Sequence, residues 1–202
     1  MFNRRFCVAA GVAMAGSLLF SGPVRAQAVE KAGTFVQQTS DRLVSVVNGA
    51  QSATEKRRAL TQILETAVDI DEIARFCLGR FLRTATPDQQ KRYNAAFHEV
   101  LVTNITSKLG DYRGVKVTVQ KSSQQGDDIT VTTIVERPNN PPTTVDWVIG
   151  QPAGAPKIVD VKAEGTSLRL TQRQDYASYL THNNNDVDAL IAAMKQQTAS
   201  GG

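Results

Sequence analysis

The sequence predicts an α+β domain in which a curved antiparallel sheet of four to five strands packs against N- and C-terminal helices. Three observations predict it. Capped segments with helical spacing fill the first half of the chain. The hydrophobic period then drops to two from Val115 onward, and helical spacing returns after about Gln172. Helices followed by strands joined through short turns read as α+β, not as alternating βαβ units.

Residues 1–26 stand apart. Arg4 and Arg5 precede an uncharged run, Phe6–Phe20, and Ser21-Gly22-Pro23 breaks it. Val24-Arg25-Ala26 then sets small residues at the positions a signal peptidase reads, so the segment reads as an export leader cleaved after Ala26. The run falls short of the roughly 18–20 residues of a spanning helix. The 23 Lys and Arg include Arg4, Arg5 and Arg25, whereas all 19 Asp and Glu follow residue 26. Cleavage therefore takes the formal charge from +4 to +1, and the basic balance argues for no nucleic-acid partner. Cys7 leaves with the leader; Cys77, in FCLG, has no partner for an internal disulfide and reads as a buried apolar residue.

The remainder, residues 27–202, is expected to form one domain, with a helical half at 29–112, a strand half at 115–171 and C-terminal helices at 172–197. Phe35, Val36, Leu43, Val46 and Val47 recur at roughly helical spacing before Asn48-Gly49. Ser52 and Glu55 make a capping box ahead of Leu60, Ile63, Leu64 and Ala67. Asp69 caps IDEIARFCL, which Gly79 stops, and Thr86-Pro87-Asp88-Gln89 opens a helix running to about Leu109. Four strands follow: VKVTVQK, ITVTTIVE, TVDWVIG and KIVDVKA, the last with Val159 and Val161 on one face. After Gly165, SLRLT extends the sheet before the helix at Gln172–Leu180, and a final helix follows Asn183-Asn184-Asn185.

Catalytic signatures are sparse. His98 and His182 lack a partner at ligand spacing, and no HExxH, CxxC, GxSxG or phosphate-binding glycine loop occurs. Asp69, Asp71 and Glu72 favour a helix N-terminus, and no metal site is expected from them. Asp160 and Glu164 leave one enzyme reading open, a carboxylate base facing an apolar pocket as in ketosteroid-isomerase-like folds. At 41% hydrophobic residues the composition suits an ordinary packed core and by itself predicts no hollow.

The stretches VDIDEIARFCLGRFLRTATPDQQKRYNAAFHEVL and IVDVKAEGTSLRLTQRQDYASYL, behind an export leader, resemble the MlaC/toluene-tolerance (Ttg2-type) family of periplasmic phospholipid carriers, including its hopanoid-associated HpnM-like branch. The likeness runs through Val68-Asp69, Leu78-Gly79, Phe81, Arg83, Thr86 to Gln89 and Phe97. It continues through Asp160, Val161, Glu164, Gly165, Ser167 and Leu168, then Arg173, Gln174 and Tyr176. The resemblance implies a lipid carrier without cofactor and without catalysis, its cargo a phospholipid whose tails lie in an apolar cavity between sheet and helices. It implies shuttling between outer and inner membranes, with an inner-membrane ABC transporter complex and an outer-membrane lipoprotein or porin complex as partners. Hopanoid or other lipid cargo, the isomerase-like enzyme and a protein-binding adaptor are the competing readings.

On that reading the cavity is walled from the sheet by Val117, Val119, Ile129, Val131, Val145, Trp147, Val161, Leu168 and Leu170, and from the helices by Phe81, Phe97, Leu101 and Ile105. Arg80, Arg83, Lys91 and Arg92 form a basic group suited to a lipid headgroup or a membrane surface.

Overall fold

A computed structural model describes residues 22–108, 112–126, 128–151 and 155–200. Of the expected leader, residues 1–21 lie outside the described residues, and Gly22–Ala26 belong to the first helix. The order is α1 (Gly22–Asn48), α2 (Ala53–Ala67), α3 (Ile70–Leu78), a 3-10 turn (Gly79–Arg83) and α4 (Pro87–Ser107). Then come β1 (Lys116–Gln125), β2 (Asp128–Glu136), β3 (Thr143–Gly150), β4 (Lys157–Ala163), β5 (Thr166–Ser167), α5 (Leu168–His182) and α6 (Val187–Ser200). The strands form one antiparallel sheet in the order β1-β2-β3-β4-β5, so the chain is α+β as the hydrophobic periods predict.

Helix starts follow local chemistry. Ser52 and Glu55 cap α2 reciprocally, as do Thr86 and Gln89 on α4, each pair satisfying two amides that a helix start leaves orphaned. Gly79 ends α3 at φ +58, a conformation glycine adopts without strain, and a Cβ there would stand 3.1 Å from the Arg173 guanidinium. The described part of α4 ends at Ser107, with Lys108 as its C-cap; Leu109 and Gly110 lie outside the described residues.

Register decides the faces of the sheet. Val131 pairs with Trp147, and Trp147 with Val161; Ile129 pairs with Ile149, and Ile149 with Ile158. A bulge between Val148 and Ile149 makes Val159 the extra residue of β4. The expected Val159/Val161 face is thereby corrected. Ile158 and Val161 share the apolar face, while Asp160, paired with Val148, points the other way. Glu164 and Gly165 both take positive φ, at 50° and 82°, and make the two-residue turn that returns the chain as β5.

The sheet is shorter at its end than the alternation of SLRLT suggests. Ser167 accepts a hydrogen bond from the Leu170 amide and starts α5, so Leu168–Thr171 are helical, and Leu168 and Leu170 are 52% and 46% exposed. The cause is a capping serine directly after the turn, a signal that period-two counting passes over. The strand half therefore closes at Ser167, not at residue 171.

Two apolar clusters result. One gathers α3, α4, α5 and α6 around Tyr93, Phe97 and Tyr176, whose rings meet at 6.0–6.3 Å. The other sets α1, through Ala32 and Val36, on the sheet residues Ile129, Val131, Ile149 and Ile158. Val68, packed against both, adjoins them, and its neighbour Asp69 donates its amide to the Ile158 carbonyl at 2.9 Å.

Candidate functional site

Cross-strand pairing converts the alternation of four strands into a contiguous apolar wall. Val119, Ile129, Val131, Trp147 and Val161 all belong to the cluster beneath α1. Val117 and Val145 continue it toward the Thr143 end and are half-buried. Trp147 stays amphipathic there. Its indole N–H donates to Thr133 Oγ1 at 3.0 Å, and that hydroxyl donates to the Val145 carbonyl at 3.1 Å. The facing side of α1 offers Ala28, Val29, Ala32, Phe35 and Val36, at i, i+1, i+4, i+7 and i+8 along one helical stripe. The space expected to be an apolar cavity is filled by α1 in this conformation. The interface is unevenly made: Thr39 and Ser40 are buried in it, and the Ser40 hydroxyl finds no partner among the described residues.

The helical residues expected to face the sheet lie elsewhere. Phe81, Phe97 and the half-buried Leu101 belong to the helical cluster, and Ile105 is half-buried on α4. The expected lining is thus split between two cores, because Phe97 turns to Tyr93 and Tyr176. Leu168 and Leu170, at the α5 start, are exposed and belong to neither apolar cluster.

The basic group is also divided. Arg92 bridges Asp88 at 2.7 Å and Asp188 at 2.6 Å; Gln89 and Arg92 together hold the Asp188 carboxyl below the usual carboxylate range. Lys91 is an exposed residue of the same helix. Arg80 and Arg83 instead line a cavity of about 620 Å³ between the 3-10 turn and the start of α6, with Phe81 and Val187 among its apolar lining. A second cavity of about 550 Å³ lies along α2, beside Arg57, Arg58 and Glu65.

Asp160, the carboxylate of the enzyme reading, is buried and occupied. Its oxygens accept from Ser167 Oγ at 2.6 Å, the Val161 amide at 2.8 Å and the Arg169 amide at 3.1 Å, with Arg169 Nε at 3.7 Å. It ties β4 to the N-terminus of α5, and it lines neither of these two cavities. Glu164, the other candidate base, is exposed in the turn. Beside this tie, Arg169 and Arg173 stack on the Phe76 ring at 4.5 and 4.9 Å. Cys77 is buried there, its thiol pushed up to about 12 by burial. His98 stands 3.7 Å from Glu65, and His182 contacts the Ser178 carbonyl at 2.8 Å. Among the described residues, no group of three or more His, Cys, Asp or Glu could hold a metal ion, and no helix is long and apolar enough to cross a membrane.

A two-core molecule with an apolar sheet face covered by one helix can be placed among known proteins. The sequence profile of the MlaC protein family matches residues 37–196. The chain belongs to the MlaC family. It is 27% identical over 135 residues to the toluene tolerance protein ttg2D of Pseudomonas putida, a match covering 66% of this chain and 63% of that protein, so it spans less than two thirds of that relative's length. Its fold matches that of a phospholipid-binding protein from Ralstonia solanacearum solved in complex with a phospholipid. The TM-score is 0.73 at 20% identity, over 85% of this chain and 98% of that one. The family resemblance read from the two long motifs is thereby established for this MlaC-family chain. Sequence reading misses the whole α1 contribution: Phe35 and Val36 show helical spacing there without a partner surface, and Ala28, Val29 and Ala32 are not singled out.

Proposed function

We propose that this MlaC-family protein is a periplasmic carrier of phospholipid that shelters acyl chains against the apolar face of its sheet. It would move lipid between outer and inner membranes, exchanging cargo with an inner-membrane ABC transporter complex and an outer-membrane lipoprotein or porin complex. The observation that carries the reading is the shared fold with a protein solved around a phospholipid, over nearly all of that protein's length.

The physical requirement is large. Two chains of about 15 methylenes each carry ~24 kcal/mol of apolar transfer free energy, at about 0.8 kcal/mol per methylene. Free diffusion through water is therefore negligible, and a protein interior of matching apolarity removes most of the penalty. Handover between membrane and protein is then near-balanced and needs no nucleophile or cofactor. The wall we assign to the tails is Val117, Val119, Ile129, Val131, Val145, Trp147 and Val161. In the closed conformation α1 covers it, as a surrogate for the chains, and the unpartnered Ser40 hydroxyl makes that cover easier to displace. Loading moves α1 outward by the thickness of an acyl chain.

The leader is expected to direct export and to be cut after Ala26, which N-terminal sequencing of the exported protein checks by a start at Gln27. To test the carrier itself, the exported protein is purified without detergent, extracted with organic solvent and its lipids identified by mass spectrometry. Stoichiometric phospholipid is the expected result, and hopanoid would reassign the cargo. Repeated recovery of empty protein from membrane-containing lysates would defeat the reading.

A further inference from the structure

The cavity between the 3-10 turn and α6 has a feature that the acyl-chain wall does not use. In a 3-10 helix, side chains three residues apart eclipse one another, so Arg80 and Arg83 emerge from the same side of Gly79–Arg83. Both line the cavity, and among the described residues neither guanidinium makes an ion pair or a hydrogen bond. This contrasts with Arg92 one helix away, which is neutralised by two aspartates. Two like charges lining one cavity repel, and an anion between them would relieve that repulsion. Arg80 is held in place by its neighbour: its guanidinium carbon lies 4.8 Å from the Phe81 ring centroid, and Phe81 is buried in the helical core. The opposing charge is Asp186, whose Oδ1 already accepts the Asp188 amide at 2.8 Å. That carboxylate caps α6, so attraction for an anion must come from the arginines.

We infer that the Arg80–Arg83 pair is a binding site for a phosphate-type oxyanion, a phosphodiester or phosphate group held by two guanidinium forks in a bowl lined by Phe81 and Val187. Arginine suits this chemistry because its planar donors match phosphate oxygens two at a time. The charge sum is right for a monoanion: two guanidinium groups against one carboxylate leave a single positive charge facing the cavity. Phosphate chemistry of this kind comes either from a lipid headgroup or from free phosphate. Only the headgroup source rests on the carrier reading.

The test uses the full exported chain, its double variant Arg80→Gln/Arg83→Gln and, as control, Lys195→Gln at an exposed lysine of α6 outside the basic group. Inorganic phosphate is titrated while arginine Nε–Hε signals are followed by NMR. In parallel, binding to vesicles of phosphatidylglycerol is compared with binding to vesicles of a phosphate-free, charge-neutral diacyl glycolipid. Phosphate should move the Arg80 and Arg83 signals selectively, and the double substitution should weaken phosphate binding by on the order of tenfold. If phosphatidylglycerol binding falls in the double variant, but not in Lys195→Gln or on the glycolipid, the ligand is a headgroup. If vesicle binding is unchanged while the phosphate response disappears, the ligand is free phosphate. A phosphate response spread evenly over all basic side chains, or none, overturns the site. Lipid recovered from the double variant at the wild-type level would then leave the carrier reading standing.

Discussion

The two cores of this protein are built from different material. The helical core is aromatic. Tyr93 is fully buried and donates its hydroxyl to the Ala74 carbonyl at 3.0 Å, and it packs with Phe97 and Tyr176. The layer between α1 and the sheet holds small and β-branched residues instead. Its rim of Val29, Phe35, Val119, Trp147 and Val161 is half-buried, and it contains hydroxyls at Thr39, Ser40 and Thr133. Interlocked rings cannot part without opening voids, whereas a helix lying on a flat strand face can lift as one body. On the proposed carrier reading, the aromatic core would be the frame and the layer under α1 the part that accommodates cargo.

The sharpest way to break the comparison is to hollow out each core in turn. Phe97→Ala should cost about 3–5 kcal/mol in urea unfolding, whereas Val161→Ala should cost about 1 kcal/mol or less, at roughly 0.8 kcal/mol per buried methylene. Equal losses would show that both cores are frame. Next in size is the joint between them. Asp160→Asn should destabilise by about 1–3 kcal/mol, because the Ser167 hydroxyl, two amides and the nearby Arg169 lose their ionised acceptor. Wild-type stability in that variant would mean that the tie from β4 to α5 is dispensable.

Alkaline pH should act on the aromatic core. Burial raises the Cys77 thiol from 9.0 to about 12, and it also raises the Tyr93 and Tyr176 hydroxyls above their usual range. For each, the unfolded chain loses its proton first, so the stabilising contribution is complete below about pH 9 and declines as pH climbs toward 12. Thermal melts between pH 8 and 11 should show a falling Tm, shallower in Cys77→Ala; a flat profile would contradict the burial. The smallest expected effect is on the cover. Ser40→Ala removes a hydroxyl that has no partner, so stability should stay level or rise by up to about 1 kcal/mol, while lipid loading slows. A clear loss of stability would mean that the hydroxyl is satisfied in solution.

Where an element starts or stops on a local signal, it was legible before any coordinates. The boxes at Ser52/Glu55 and Thr86/Gln89, the cap at Asp69 and the stop at Gly79 each act within a few residues, and each stands where the sequence puts it. Leu168 and Leu170 show where that kind of reading fails. Alternation favours a strand, but Ser167 has its hydroxyl anchored on Asp160 and its lone pair on the Leu170 amide, and the helix wins. Of the expected wall, the sheet residues were recoverable because period two assigns them one face. Phe81 and Phe97 were not, because helical spacing says which residues are buried but not which core buries them.

The sequence by itself determined the order of elements and the existence of an apolar sheet face, since both depend on neighbours a few residues apart, and the family, through two long motifs read in order along the chain. Only the tertiary structure decided that α1 covers that face, that β4 bulges to turn Asp160 toward α5, and that Arg80 and Arg83 line a cavity while Arg92 is spent on two aspartates. Each of those outcomes pairs groups far apart in the chain. Local periodicity carries no information about such pairs, and packing and charge compensation select among them.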